Sequence, residues 1–173
     1  MATFQAGNMK IQLKIPSWED MHYIRWLWKD EETMEPVGGA VHLTDDQAVQ
    51  WYRRMIDPGN PTDEYRLILN EEQELVGEVS FHQFDLETGT AMLNLKIASA
   101  KRGKGYARIA MREFLDMFFN ELGGRTMLDD IALNNLRGRE VLIEFGFVHE
   151  PCQEDVFKVY ITKDRFNQLY RSE

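Results

Sequence analysis

Cysteine is almost missing from this chain. Cys152 is the only one among 173 residues, so no intrachain disulfide forms and the paired spacings of zinc ribbons and redox motifs are excluded. That usage fits a reducing, cytoplasmic setting. Long apolar runs are missing as well. No segment approaches the roughly eighteen apolar residues of a membrane span, and Lys10 and Lys14 break up the start of the chain, which argues against an export signal. Basic residues are in deficit, 20 Lys plus Arg against 29 Asp plus Glu, for a formal charge of -9. A field of that sign repels nucleic acid and anionic membrane and favours cationic partners. No internal repeat, low-complexity tract or interdomain linker is visible, and a length of 173 residues leaves room for one domain with a full core.

What is present is ordinary globular material, 43% hydrophobic and 28% charged, which excludes a disordered chain. Residues 1–8 are small and polar and are set aside as a loose extension or an appended leftover, so the single domain is read from 9 to 173. Ile11, Leu13 and Ile15 alternate as in a strand that Pro16 stops. Ser17 with Asp20 starts a helix carrying Met21, Ile24, Leu27 and Trp28, and Thr44 caps a second carrying Ala48, Trp51, Tyr52 and Met55. Between them Glu31 to Leu43, with Pro36, Gly38 and Gly39, reads as loop or broken helix.

Tyr65 to Asn70, Leu75 to Phe84 and Thr90 to Ile97 read as strands, and their short links predict antiparallel neighbours. A long helix is expected from Gly105 to Leu122, with Ile109, Ala110, Phe114, Met117, Phe118 and Leu122 as its apolar stripe and Gly123-Gly124 as its stop. A strand at Met127 to Leu133, a helix at Leu136 to Phe145 closed by Gly146, a strand at Val156 to Thr162 and a terminal helical turn at Asp164 to Tyr170 complete the order. The fold class is therefore α/β in the α+β sense: a mixed, mostly antiparallel central sheet flanked by about four helices.

The chemistry concentrates in Lys96-Ile-Ala-Ser-Ala-Lys-Arg-Gly-Lys-Gly-Tyr-Ala107, where a strand runs through a glycine-containing loop into the long helix. The first backbone N–H groups of a helix have no intrahelical acceptor and lie at the positive end of the helix dipole, so they suit a phosphate. Gly103 and Gly105 permit close approach, and Arg102 and Lys104 add positive charge to an acidic protein. The loop lacks the Gly-Lys-Ser/Thr ending of a Walker motif, and its glycine spacing does not complete the dinucleotide-binding pattern.

Arg102-Gly-Lys-Gly-Tyr-Ala107 resembles the Arg/Gln-x-x-Gly-x-Gly/Ala acetyl-coenzyme A loop of the GCN5-related N-acetyltransferase (GNAT) superfamily. It is followed in the expected order by Asn135-Leu-Arg-Gly-Arg-Glu-Val-Leu-Ile-Glu-Phe-Gly-Phe147, which resembles the second signature of that family, Asn-x-x-Ala/Ser and then Gly-Phe. The match is best from Leu75 to Glu150. The segments Trp26-Leu-Trp-Lys-Asp and Asp46-Gln-Ala-Val-Gln-Trp are similar to the branch of ribosomal-protein N-terminal, polyamine and aminoglycoside acetyltransferases.

The resemblance implies that backbone amides of Arg102, Gly103, Lys104, Gly105, Tyr106 and Ala107 hold the pyrophosphate, that the strand edge at Leu95 to Ile97 pairs with the pantetheine arm, and that Asn135 hydrogen-bonds that arm. It also implies splayed strands at the cleft and a backbone N–H near Ile97 aimed at the developing oxyanion. The reaction it implies is direct attack of a neutral primary amine on the thioester, with no metal. Two departures stand out. Leu142 occupies the place of the tyrosine that often protonates the departing thiolate, leaving Tyr106 or Tyr160 as substitutes, and Met92 falls near the place of a strand-borne catalytic glutamate. A coenzyme A thiolate, with a pKa of about 8.5, leaves tolerably well without such an acid.

For the base, Glu78 and Asp129 are the candidates chosen. Glu78, Ser80 and His82 share a strand face, which either lines the cleft or is solvated, and Asp129-Asp130 precede Asn135. Glu31, Glu32, Glu35, Asp45 and Asp46 form an acidic stretch that attracts a cationic acceptor or is simply a solvated face, while Trp26, Trp28, Trp51 and Tyr52 are read as packing residues. His149 and Cys152 lack a second pair and carry no metal site. The expected partners are acetyl-coenzyme A and a cationic amine acceptor, either a small amine such as a polyamine or aminoglycoside or a protein N-terminus, with no nucleic acid or membrane and with a homodimer left open. The competing expectation is a non-catalytic acyl-coenzyme A-binding module.

Overall fold

The computed structural model of the chain describes residues 9–171. Residues 1–8, read above as an extension, lie outside the described residues. One sheet of seven strands organises the molecule, in the order β1-β2-β3-β4-β5-β7-β6. The strands are β1 (Gln12–Lys14), β2 (Glu64–Leu69), β3 (Leu75–Asp85), β4 (Thr90–Ile97), β5 (Thr126–Ala132), β6 (Val148–His149) and β7 (Val156–Thr162). Every neighbouring pair is antiparallel except β4 with β5. Those two are parallel because the long helix α4 (Tyr106–Asn120) carries the chain back between them.

The other helices are α1 (Met21–Lys29), α2 (Glu31–Met34), α3 (Asp45–Met55), α5 (Leu136–Phe145) and α6 (Lys163–Tyr170). Among the described residues six α-helices stand where about four were expected. The broken segment after α1 forms the short α2, with the Asp30 side chain accepting from the Thr33 amide, and the terminal turn extends to eight residues behind a Thr162 cap. The strand β6 was also missed, since two residues are too few to show a period. Thr44 caps α3 with Gln47 in a reciprocal capping box, as its spacing implied.

Two cores lie on opposite faces of the sheet. On one, α4 buries Ala110, Met111, Phe114, Leu115, Phe118 and Phe119 completely against Val79, Phe81 and Ile161. The stripe is turned by about one residue from the expected one, so Ile109, Met117 and Leu122 lie nearer its margins. Burial of each such phenylalanine contributes roughly 1.5–3 kcal/mol. On the other face, α1 and α3 close over Tyr65 and Leu67 of β2 through Met21, Ile24, Ala48 and Met55. Trp28, Trp51 and Tyr52 pack here as expected, whereas Trp26 is 53% exposed. The central strands are thus covered on both sides, which decides the fate of polar residues on β3.

Candidate active site

The sheet opens between β4 and β5. Pairing runs Thr90 with Thr126, Ala91 with Met127 and Met92 with Leu128, and there it stops, although β4 continues to Ile97 and β5 to Ala132. The strands therefore splay, as the resemblance implied. The edge of β4 that faces β5 has no strand partner from Leu93 to Ile97, while its other edge stays paired with β3 out to Gly77 and Ile97. A cleft of about 910 Å³ occupies the gap. Its walls include Leu93 to Ile97 of β4, Asp129 to Ala132 of β5, Asn135, Arg137 and Leu142, and Thr33, Pro36, Val37 and Gly38 from the segment after α1.

At one end the chain leaves β4, makes a short turn at Ser99 to Lys101 and enters α4. Gly103 and Gly105 have φ of +79° and +88°, left-handed values that glycine adopts without penalty. A Cβ on Gly103 would meet nothing within 4 Å, so the loop faces open space. This geometry, the open β4 edge and the start of a fifteen-residue helix fit a diphosphate followed by an extended amide arm. Lys104 is exposed outside the cleft wall, and Arg137 at the start of α5 adds a cation to that wall beside Lys96 and Arg102. The short spacing of the signature gave no sign of Arg137.

Arg102 does something the motif did not disclose. Its guanidinium donates to the carbonyls of Glu32, at 3.4 Å, and Thr33, at 3.0 Å, so it ties the loop to α2. The tie is doubled by Ser99, whose amide donates to the Thr33 hydroxyl at 2.9 Å and whose hydroxyl donates to Asp30 at 3.0 Å. The Thr33 hydroxyl also donates to Asp30, and these bonds hold the Asp30 carboxyl below its ordinary range. Tyr106 is buried, with its hydroxyl accepting from Asn70 at 3.4 Å, and it does not line the cleft. Asn135 caps α5, its Oδ1 accepting from the Gly138 amide at 3.0 Å, and lines the cleft. A Cβ on Gly138 would come within 2.6 Å of Asn135 Nδ2, which accounts for glycine at this position.

Glu78 lies elsewhere than the cleft wall. Neither the cleft-lining nor the solvated alternative holds for it, because α1 and α3 cover that face and leave it 2% exposed. Trp28 Nε1 donates to both carboxylate oxygens at 3.0 Å, Lys96 Nζ donates to one at 2.9 Å, and the Tyr65 hydroxyl donates to the other. Burial and the neighbouring Glu78 charge push the Tyr65 and Tyr23 hydroxyls up. Burying two charges is costly unless they pair, and here the pair pins the cleft-lining Lys96 to α1 through Trp28. Ser80 is buried as well, and His82 alone of the three reaches the cleft.

His82 stands opposite Met92 in the β3–β4 register. Its Nδ1 lies 3.3 Å from Asp63, and its Nε2 lies 3.1 Å from the Ser80 hydroxyl. Immediately after it the register shifts, and Gln83 takes a φ of +57°. The irregularity lets both His82 and Gln83 line the cleft, although consecutive residues of a regular strand face opposite ways.

Asp129 and Asp130 both line the cleft, on opposite faces of β5 by strand alternation. Asp129 shares the face of Met127 and Ile131, which belong to the same core as Leu142 of α5. Asp130 shares the other face and is exposed. Burial is the main cause that pushes the Asp129 carboxyl up to about 7, with the Asp130 charge adding to it and Lys96 opposing it. Leu142 forms part of the apolar lining and offers no proton, and neither Tyr106 nor Tyr160 lines the cleft to replace it. The acidic stretch contributes Thr33, Pro36, Val37 and Gly38 to the wall, while Glu31, Glu32 and Glu35 are exposed outside it and Asp45 pairs with Arg25 at 2.9 Å. Among the described residues no group of three or more His, Cys, Asp or Glu is placed to hold a metal ion, and no helix is long and apolar enough to cross a membrane.

The sequence pattern of the Acetyltransferase (GNAT) domain matches residues 10–148, a span that contains the loop, the splay and α5. The chain belongs to the GNAT acetyltransferase family. Acetyl-coenzyme A is the acyl donor of that family, so the chemistry of the cleft is acyl transfer. Among curated proteins this acetyltransferase is similar to the uncharacterized N-acetyltransferase p20 of Bacillus licheniformis, 23% identical over 167 residues that cover 93% of this chain and 90% of that protein. Among solved structures it shares its fold with the spermidine N-acetyltransferase of Vibrio cholerae in complex with CoA and spermine. The TM-score there is 0.81 at 21% identity, covering 90% of this chain and 97% of the other. A dodecameric structure of that enzyme in an intermediate state superposes with a TM-score of 0.74 at 20% identity, covering 94% and 98%.

Proposed function

We propose that this acetyltransferase moves an acetyl group from acetyl-coenzyme A to a primary amine of a small cationic acceptor, by direct attack of the neutral amine on the thioester. The observation that carries this reading is the splay itself. It joins an anion-binding loop at one end to a carboxylate pair and a histidine at the other, across the open edge of one strand. The formal charge of -9 favours a cationic acceptor, and the spermine-bound neighbour supports the polyamine class. The lone cysteine accords with a cytoplasmic setting.

In this reading the amides from Gly103 to Ala107 bind the pyrophosphate, Leu95 and Ile97 pair with the pantetheine arm, and Asn135 donates to that arm through Nδ2. An N–H of the open β4 edge faces the thioester oxygen as charge develops there. When bound, the donor supplies a thioester whose sulfur leaves as a thiolate. Asp129, named above as a candidate base, lines the cleft beside Ile131 and has its carboxyl pushed up to about 7 by burial, and in this reading it is assigned instead to the leaving sulfur. It takes over the part of the absent tyrosine. The assay that tests the reading is thiol release from acetyl-coenzyme A across polyamines, aminoglycosides and short peptides with free N-termini. Turnover is expected with the polyamines. Turnover with peptides alone would replace a small cationic acceptor by a protein N-terminus, and no turnover with any amine would overturn amine acetylation.

A further inference from the structure

We propose that His82, oriented by Asp63, takes the proton from the acceptor nitrogen during acetyl transfer. The proposal rests on the acetyltransferase reading above and adds the base, which neither loop signature contains.

Three observations carry it. The first is position. His82 lies directly across the β3–β4 ladder from Met92, on the face of the sheet that Asn94 and Lys96 share, and it lines the cleft. Met92 stands where the resemblance would put a catalytic carboxylate, so the imidazole occupies the same level one strand away. The second is its support. Asp63 is itself anchored, with Oδ2 accepting from Asn60 Nδ2 at 2.9 Å and Oδ1 accepting from the Gln83 amide at 3.2 Å, and Oδ1 lies 3.3 Å from His82 Nδ1. A carboxylate in that place holds the proton of the neutral ring on Nδ1 and leaves Nε2 as the acceptor; at rest Nε2 takes the Ser80 hydroxyl proton at 3.1 Å, and it reaches the substrate when that hydroxyl turns away. The third is strain. Gln83 at φ +57° is uncommon for a residue with a side chain, and the register shift it accompanies is what turns this end of β3 toward the cleft.

The proton balance closes on these groups. The amine nitrogen forms the new N–C bond as the C–S bond breaks, and, once the Ser80 hydroxyl has turned its proton away from Nε2, the nitrogen's proton passes to His82 Nε2 directly or through one water. The electron pair of the broken bond stays on sulfur. The imidazolium then donates from Nδ1 to Asp63 and from Nε2 to the Ser80 hydroxyl, which reverses its role from donor to acceptor. The other charged or titratable groups that line the cleft are Asp129 and Asp130 from β5, Arg102 and Arg137 from the loop and α5, and Lys96 from β4, the last already paired with Glu78.

The test is thiol release from acetyl-coenzyme A with the best amine of the panel between pH 6 and 9, for the unaltered chain, His82→Gln, His82→Ala and Asp63→Asn. Calorimetry with coenzyme A serves as the folding control. The expected result is a kcat about 10²-fold lower in His82→Gln with unchanged coenzyme A affinity, loss of the acid limb of its pH profile, and partial rescue of His82→Ala by added imidazole. Asp63→Asn is expected to lose about tenfold in kcat, because the amide no longer fixes the productive tautomer. An active unaltered chain with an unchanged rate and profile in His82→Gln would overturn the base while leaving acetyl transfer intact. An unaltered chain inactive on every amine would overturn both.

Discussion

The wall of the cleft proposed here for the donor is made of backbone, in consecutive residues from Arg102 to Ala107 and along the edge of β4, whereas the wall proposed for the acceptor is made of side chains drawn from β3, β4, β5 and the segment after α1. The donor wall needs small residues with left-handed φ and the open end of a helix, all of which are local properties. The acceptor wall needs Glu78 to hold Lys96 and Asp63 to hold His82, contacts that span 18 and 19 positions of the chain. A wall of backbone is broken by adding atoms to it, and a wall of side chains is broken by removing one charge. Arg102 and Asp30 join the two walls, since the loop at the donor end is hydrogen-bonded to α2 at the acceptor end.

That contrast orders the expected effects. The largest follows from removing a charge: Glu78→Gln leaves the Lys96 ammonium buried without its counter-charge and is expected to destabilise the fold by about 3–5 kcal/mol, read from denaturant unfolding. Stability close to that of the unaltered chain would show that Lys96 finds water in the cleft and that the acceptor wall does not depend on the pair. Adding atoms comes next. Gly105→Glu places a side chain at φ +88° and a negative charge in the anion cradle, and is expected to cost about 100-fold in coenzyme A affinity, or about 2.7 kcal/mol, in calorimetry. Unchanged affinity in the folded variant would move the diphosphate away from this loop.

The smallest effect on stability belongs to Asp129, which lies where the walls meet. Its folded pKa of about 7 is raised from 3.8, so the stability it contributes is complete below the unfolded pKa and is lost as pH rises through about 7. Asp129→Asn removes that loss. The variant is expected to gain on the order of 1–2 kcal/mol relative to the unaltered chain at pH 8 and to gain little at pH 4, in thermal unfolding at the two values. The same variant is expected to lose about 10²-fold in kcat if the carboxyl serves the leaving sulfur. Equal stability differences at the two pH values would show that the carboxyl is not held protonated by burial.

Much of the donor side was legible because its determinants are contiguous. Gly103, Gly105 and the apolar run of α4 announce a loop and a helix start, and Asn135 and Gly146 bracket α5 in the same way. The acceptor side was legible only in part. Alternation placed Glu78, Ser80 and His82 on one face, but could not say that α1 and α3 would bury the first two and leave the third in the cleft. Asp63 gave no signal, since its partner is set by a register between β2 and β3 and by an irregularity at Gln83. The role of Arg102 as a tie to α2 was hidden behind its place in a motif.

By itself the amino-acid sequence determined the main elements and their order, the glycine loop before α4, the Thr44 cap and the family, because each rests on residues within a few positions of one another. Tertiary structure alone decided which polar groups of β3 face the cleft, that Lys96 is neutralised from behind, and that Asp129 carries a raised pKa. Those outcomes depend on which element covers which face and on the water it excludes, and desolvation is a property of the packed sheet that no local spacing contains.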